Sequence, residues 1–252
     1  MKVQEVIFCV GVPKSGTTSV AGVFSKCLGR KTSHEPERAE TVTYLLRHKL
    51  HDISDDDLVY WHRSRKERLC LDLESNCFLT YRFDLFLKAF PEARIVLPVR
   101  LPKSWLQSIF NNNIRFRAAK SEIVASYHEL LFNPRAYKYH SEEESVLGKW
   151  NLYPIDSYLY YWKSTHDLII DSVLSDRLFI LKTEDIEQKV DELYSFAGWT
   201  VPESDFIPSV DCHLNEAPHN YHILELLDDD FVSDRINFIC GDTLEKISKL
   251  IQ

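Results

Sequence analysis

Several patterns that would each mark a class of protein are missing from this sequence. No stretch approaches the roughly 20 apolar residues of a membrane span, so no membrane partner is expected. A secretory leader needs a basic segment, an apolar core and a small-residue cleavage site in succession. Here Lys14 interrupts the apolar run that begins at Val6, and no leader is expected. The six cysteines stand at 9, 27, 70, 77, 212 and 240, none in a Cys-x-x-Cys spacing. That excludes the common zinc and redox patterns, and no other ligand cluster points to a metal. Most of them lie in apolar runs, which predicts buried free thiols in a reducing, cytoplasmic compartment. Positive charge is scarce: 30 Lys and Arg face 38 Asp and Glu, a net −8. A nucleic acid or another polyanion is a poor partner for such a chain, although a local basic groove remains compatible with it. Internal repeats and low-complexity segments are absent, and the oligomeric state leaves no mark.

What is present is a well-provisioned core. Apolar residues make up 44% and charged residues 27% of 252 positions, which fits one folded domain over 1–252. Apolar runs alternate with helical spacings, the pattern of a mostly parallel sheet covered by helices. Strands are predicted at 3–10, 68–73, 94–100 and 177–182. Helices are predicted from Val20 to Gly29, over 78–90 up to Pro91, near 103–112, and over 157–174. Thr183-Glu184-Asp185 offers capping groups for a further helix ending at Gly198. Residues 132–153 carry Pro134 and the acidic run Glu142–Glu144, and are expected to form a long surface loop, either a lid or a solvated connector.

The most specific segment is Gly11-Val12-Pro13-Lys14-Ser15-Gly16-Thr17-Thr18, between a predicted strand and a predicted helix. Amide groups at a helix start are unpaired and face the positive end of the dipole, which suits an anion. Gly16 permits close approach of the backbone, and Thr17 and Thr18 bring hydroxyls. A nucleoside triphosphatase places a lysine after the second glycine. In this chain Thr17 stands there and the lysine is at 14, beside the bridging oxygen of a shorter, 5′-linked donor. The plain alternative is a turn with an incidental lysine.

Pro13-Lys14-Ser15-Gly16-Thr17-Thr18 resembles the 5′-phosphosulfate loop of the sulfotransferases that use 3′-phosphoadenosine 5′-phosphosulfate (PAPS). Many cytosolic members have Trp next; Ser19 stands here, so adenine stacking must come from elsewhere. Arg100-Leu101-Pro102, with Ser108 eight residues after the arginine, is similar to the family's 3′-phosphate motif, with Leu101 where many members have Asp. Leu181-Lys182-Thr183-Glu184-Asp185-Ile186 and Phe196-Ala197-Gly198-Trp199 resemble a third family segment, in which the residue at Thr183 helps hold the adenine; simple N-capping is the other reading of Thr183. Ile239–Glu245 loosely resembles the family's C-terminal helix.

The resemblance implies an α/β, P-loop-like three-layer sandwich around a central, mostly parallel sheet. It also implies sulfuryl transfer from PAPS to a hydroxyl or amine of a small-molecule acceptor, releasing 3′-phosphoadenosine 5′-phosphate (PAP), with no metal. Lys14 would neutralise charge on the leaving phosphate. Ser15, Gly16, Thr17, Thr18 and Ser19 would surround the 5′ end, and Arg100, Ser108 and Thr183 the rest of the nucleotide. The acceptor has to lose a proton, and family members use His or Glu as the base. His34 and Glu35 are the first candidates, because the chain after the first crossover should return to the sheet where the loop opens; Glu74, at a predicted strand end, is another. Tyr160, Tyr161 and Trp162 line a pocket or pack the core. His213, Asn215 and His219 close over the nucleotide or form a loop. The rivals are a P-loop small-molecule kinase, disfavoured by the displaced lysine, and a non-catalytic nucleotide-binding protein.

Overall fold

The computed structural model describes residues 6–26, 30–118, 122–199 and 220–251. In chain order the regular elements are β1 (Ile7–Cys9), α1 (Thr17–Ser25), β2 (Thr32–His34), α2 (Arg38–Lys49), α3 (Asp55–Leu69), β3 (Leu73–Ser75), α4 (Phe83–Ala89), β4 (Arg94–Val99), α5 (Pro102–Ala118), α6 (Glu122–Phe132), α7 (Val146–Lys149), α8 (Ile155–Ser172), β5 (Leu178–Lys182), α9 (Val190–Ala197) and α10 (Asp229–Leu250). The strands form one sheet in the order β2-β3-β1-β4-β5, and every pairing is parallel. This is the expected α/β arrangement. Among the described residues no helix is long and apolar enough to cross a membrane.

The chain divides into two compact units. The first comprises Met1–Val99 and Leu168–Asn215 and holds the sheet. Its core joins Ile7, Cys9, Val20, Phe24, Leu73, Val96, Leu181, Ile186 and Leu193, so apolar positions of β1, β3, β4 and β5 meet the inner faces of α1 and α9. Phe24 packs edge-on against Tyr194 and Trp199, with ring centroids 5.5 and 5.0 Å away. Removal of this apolar area from water is the main stabilising term.

The second unit comprises Arg100–Asp167 and Glu216–Gln252. Its centre is aromatic: Tyr158 meets Phe110 at 5.1 Å and Phe132 at 4.6 Å, and Trp162 is fully buried. Trp162 and Tyr161 therefore belong to the core, while Tyr160 stacks on Tyr137 at 5.4 Å.

Four expectations need correction. Residues 68–69 are not strand: α3 starts at a Ser54/Asp57 capping box and runs on to Leu69, where Cys70 turns left-handed (φ 49°) and stops it. Strand β3 starts only at Leu73. Thr183–Asp185 form a 3₁₀ turn and give α9 no side-chain cap, since that helix begins only at Val190, after Lys189. Its predicted end holds, with Gly198 left-handed at φ 66°. Residues 132–153 are not a free loop. Glu144 is fully buried, and its carboxylate accepts from the amides of His140 and Ile155, the latter at 2.8 Å. It thus satisfies a donor at the start of α8. Asp156 holds His140 and Arg235 at 2.8 Å each. Finally, Cys9, Cys77 and Cys240 are buried free thiols as expected, but Cys70 is exposed; Cys27 and Cys212 lie outside the described residues.

Two buried histidines make the fold acid-sensitive. His62, edge-on to Phe86, is pushed down to about 3 by burial and then by the charge of Arg65. His166, whose Nδ1 faces the Trp162 carbonyl at 2.6 Å, is pushed down to about 4 by burial. Among the described residues, Nε2 of neither ring has a hydrogen-bond partner. Unfolded, each histidine takes a proton near its ordinary value of 6.5. Below that value the unfolded chain binds more protons than the folded one, so stability is fully present above pH 6.5 and is lost as the pH falls. The slope is about 1.4 kcal/mol per pH unit for each group. Urea unfolding between pH 7.5 and 5 should show this fall, and His166→Gln should flatten it. An unchanged slope would contradict the assignment.

Candidate active site

The loop after β1 opens at the carboxyl end of the sheet. Cys9 is in register with Ser75 of β3 and Val96 of β4, and Ser75 is in register with His34 of β2. With β3 on one side of β1 and β4 on the other, this is the place where open α/β sheets bind ligands. Lys14 has φ 68° and Gly16 has φ 104°. Two left-handed residues in three bend the chain from strand into helix. A Cβ on Gly16 would come within 3.0 Å of Ile186 Cδ1 and Thr183 Cγ2, so sterics and backbone both demand glycine. The first helical bond of α1 runs from the Val20 amide to the Gly16 carbonyl at 3.0 Å. The Gly16 and Thr17 amides thus precede the helical ladder.

Ser15 is wholly buried, and among the described residues its hydroxyl oxygen has no partner. An orphaned hydroxyl costs free energy unless something meets it, and a phosphate oxygen is a group that would. The Ser15 amide closes the turn on the Val12 carbonyl at 3.2 Å. The Thr183 hydroxyl donates to the Ser15 carbonyl at 2.5 Å, bracing the loop from the end of β5. Ser75 does the same from β3, its hydroxyl donating to the Thr17 carbonyl at 2.6 Å. Ser19, two residues past Thr17, is buried as well.

His34 ends β2 with Nε2 3.1 Å from Thr18 Oγ1 and 3.4 Å from Thr17 Oγ1. The edge strand therefore brings the candidate base onto the loop, as the crossover argument expects. Its imidazole is held below its ordinary value, first by burial and also by the charges of Arg38 and Lys14, with Glu35 acting the other way. The Lys14 charge thus reaches His34. Glu35 is closely engaged: its carboxylate accepts from Arg38 Nε at 2.7 Å and from Cys77 Sγ at 3.1 Å. Its Oε1 lies 3.8 Å from His34 Nε2. Glu74, the other candidate, is 1% exposed, and both its oxygens accept from Arg65 Nη1, at 2.8 and 2.7 Å.

Arg100 follows β4 directly, and its carbonyl accepts from Trp162 Nε1 at 3.1 Å. Ser108 lies on α5, which Pro102 opens. Both fall in the second unit, whereas the loop, His34 and Thr183 fall in the first. His213, Asn215 and His219 lie outside the described residues. Sequence reasoning missed Ser75, Cys77 and Arg38. Ser75 and Cys77 flank the strand end already singled out at Glu74; Arg38, four residues past His34, carries no motif. Among the described residues no group of three or more His, Cys, Asp or Glu is placed to hold a metal.

A family model described as a sulfotransferase domain matches residues 6–211. No curated protein matches the chain. Among solved structures, a sulfotransferase from Alicyclobacillus acidocaldarius shares 16% identity, with 94% of each chain covered and a TM-score of 0.51. A mouse sulfotransferase complexed with PAP shares 14% identity over 98% of this chain and 82% of its own, at a TM-score of 0.43. The sulfotransferase domain of the Synechococcus PCC 7002 olefin synthase shares 12% over 91% and 82%, at 0.41. The first of these likenesses supports the fold, and the family match supports the chemistry that the loop suggests. The chain belongs to the sulfotransferase domain family, and is an enzyme that moves a sulfuryl group from PAPS to an acceptor.

Proposed function

We propose that the residues around the first loop carry this reaction, that the acceptor is a small molecule with a hydroxyl or an amine, and that 1–252 acts as a single sulfotransferase domain. The family match runs through residues of both compact units, which supports the last point. The observation that carries the site is the contact of His34 Nε2 with the hydroxyls of the loop that holds Lys14.

Sulfuryl transfer, like phosphoryl transfer, asks a protein mainly for positioning and charge stabilisation. The amides of Gly16 and Thr17, the buried Ser15 hydroxyl and the hydroxyls of Thr17 and Thr18 hold the 5′-phosphate. Lys14 offsets the negative charge that grows on the leaving phosphate. Arg100 and Ser108 grip the 3′-phosphate, the guanidinium as a fork, and so separate PAPS from ATP. Thr183 holds the loop that faces the nucleotide. His34 takes the acceptor's proton at Nε2. Its lowered pKa keeps the ring neutral at neutral pH, the state a base requires. We assign Glu35 to orienting this ring, since its own carboxylate is engaged by Arg38. The buried, protonated thiols Cys9 and Cys77 support a reducing, cytoplasmic setting.

The test is thermal unfolding with PAP, set beside ATP and magnesium. A ligand at a hundredfold excess over its Kd adds about 2.7 kcal/mol, which raises Tm by several degrees. PAP should do this and ATP should not; the reverse result would favour a kinase. Transfer of labelled sulfate from PAPS across a panel of metabolites then separates an enzyme from a mere binder.

A further inference from the structure

We infer that Arg65 is a positioning residue for the proton-accepting turn, acting through Pro36 and Glu74; this rests on the assignment of His34 as base. Arg65 lies on α3 and is 2% exposed. One guanidinium nitrogen, Nη1, donates to both oxygens of Glu74 in the middle of β3. The other, Nη2, donates to the Pro36 carbonyl at 2.7 Å. Nε lies 3.6 Å from Glu37 Oε2. Asn76 Nδ2 also donates to Glu74 Oε1, at 2.8 Å. One planar fork therefore joins helix, strand and the turn that directly follows His34-Glu35.

That turn needs holding. Glu35 and Glu37 both have positive φ, 45° and 55°, although neither is glycine. Such a conformation costs about 1–2 kcal/mol per residue and persists only where the surroundings over-determine it. Around Glu35 the surroundings are its amide on the Ser75 carbonyl at 2.8 Å, its carboxylate on Arg38, and Arg65 on the next carbonyl. Without Arg65 the chain after β2 is free to relax, and the imidazole moves off the Thr17 and Thr18 hydroxyls. The phosphate loop does not depend on this contact, since its braces come from Ser75 and Thr183. A defect in proton removal with intact nucleotide binding is the consequence.

Arg65→Lys tests this, because it keeps a cation beside buried Glu74 and loses only the two-pronged fork. The expected result is a fall of about 10- to 100-fold in kcat, with the KM for PAPS and the Kd for PAP within about twofold of the wild type. The same substitution in a His34→Ala background should cost nothing more, because the positioned group is gone; the cycle is then strongly non-additive. An unchanged kcat, a parallel loss of PAP affinity, or an equal loss in both backgrounds would overturn the positioning role. If His34→Ala alone keeps full turnover, it is the base assignment that fails, and that result is visible without any Arg65 variant. Should Arg65→Lys not fold, Arg65→Met with Glu74→Gln removes both charges together and enters the same cycle. Loss of the fold in both variants would make the pair purely structural and also sink the proposal.

Discussion

Lys14→Ala is expected to lower kcat/KM by about 10²–10³-fold, the loss typical when one charge-stabilising donor is removed from a reacting centre. The substitution is clean for a conformational reason. Lys14 sits at φ 68°, and alanine carries the same Cβ penalty there, so the backbone strain of the loop is unchanged. What disappears is the cation. Ground-state binding of PAP should weaken much less, because amides and hydroxyls of the loop remain; the effect should appear mainly in kcat. A second readout comes from His34, whose pKa the Lys14 charge helps to depress. Without it the imidazole titrates higher, and the acid limb of the pH–rate profile moves up. A variant retaining more than about a tenth of wild-type turnover would contradict the role proposed for the lysine.

His34→Ala is expected to lower kcat by about 10²–10⁴-fold, the usual contribution of a positioned general base, with PAP affinity intact. The pH dependence gives the sharper test. Burial depresses the imidazole below its ordinary 6.5, so the base is neutral throughout the neutral range. In the wild type kcat/KM should stay flat from pH 8 through pH 7 and fall only below pH 6.5, as His34 takes up its proton. An acid limb centred above 6.5 would fit a different group. Glu35→Gln makes the useful contrast: a carboxylate that only orients its neighbour should cost far less when it becomes an amide, whereas a true base should cost as much as His34.

The loop proposed to hold the 5′-phosphate was legible in the sequence because its chemistry is local. Lys14, Gly16 and the two threonines are contiguous, and a strand-to-helix bend needs no partner from elsewhere to announce itself. The alternation of apolar runs with helical spacings showed the parallel sheet for the same reason. Element edges were less readable. Arg68 and Leu69 look like the start of an apolar strand, but the capping box 14 residues earlier at Ser54 carries α3 through them. Glu144 looks like part of a solvated acidic run, yet it is buried, because the amides of His140 and of Ile155 at the start of α8 donate to it, and no spacing displays them.

The candidate bases divide along the same line. Sequence alone determined the strand-to-helix loop, the placing of its lysine and the presence of His34, Glu35 and Glu74 as imidazole and carboxylates near strand ends. Only the tertiary structure gave each its partners. Register placed His34 level with Ser75 and set its ring on the loop's hydroxyls, while Arg38 engaged Glu35 and Arg65 closed on Glu74. These outcomes depend on which strands are neighbours and which helix covers them, and the β2–β3 register that sets His34 level with Ser75 is governed by packing and desolvation of the whole unit rather than by any local pattern.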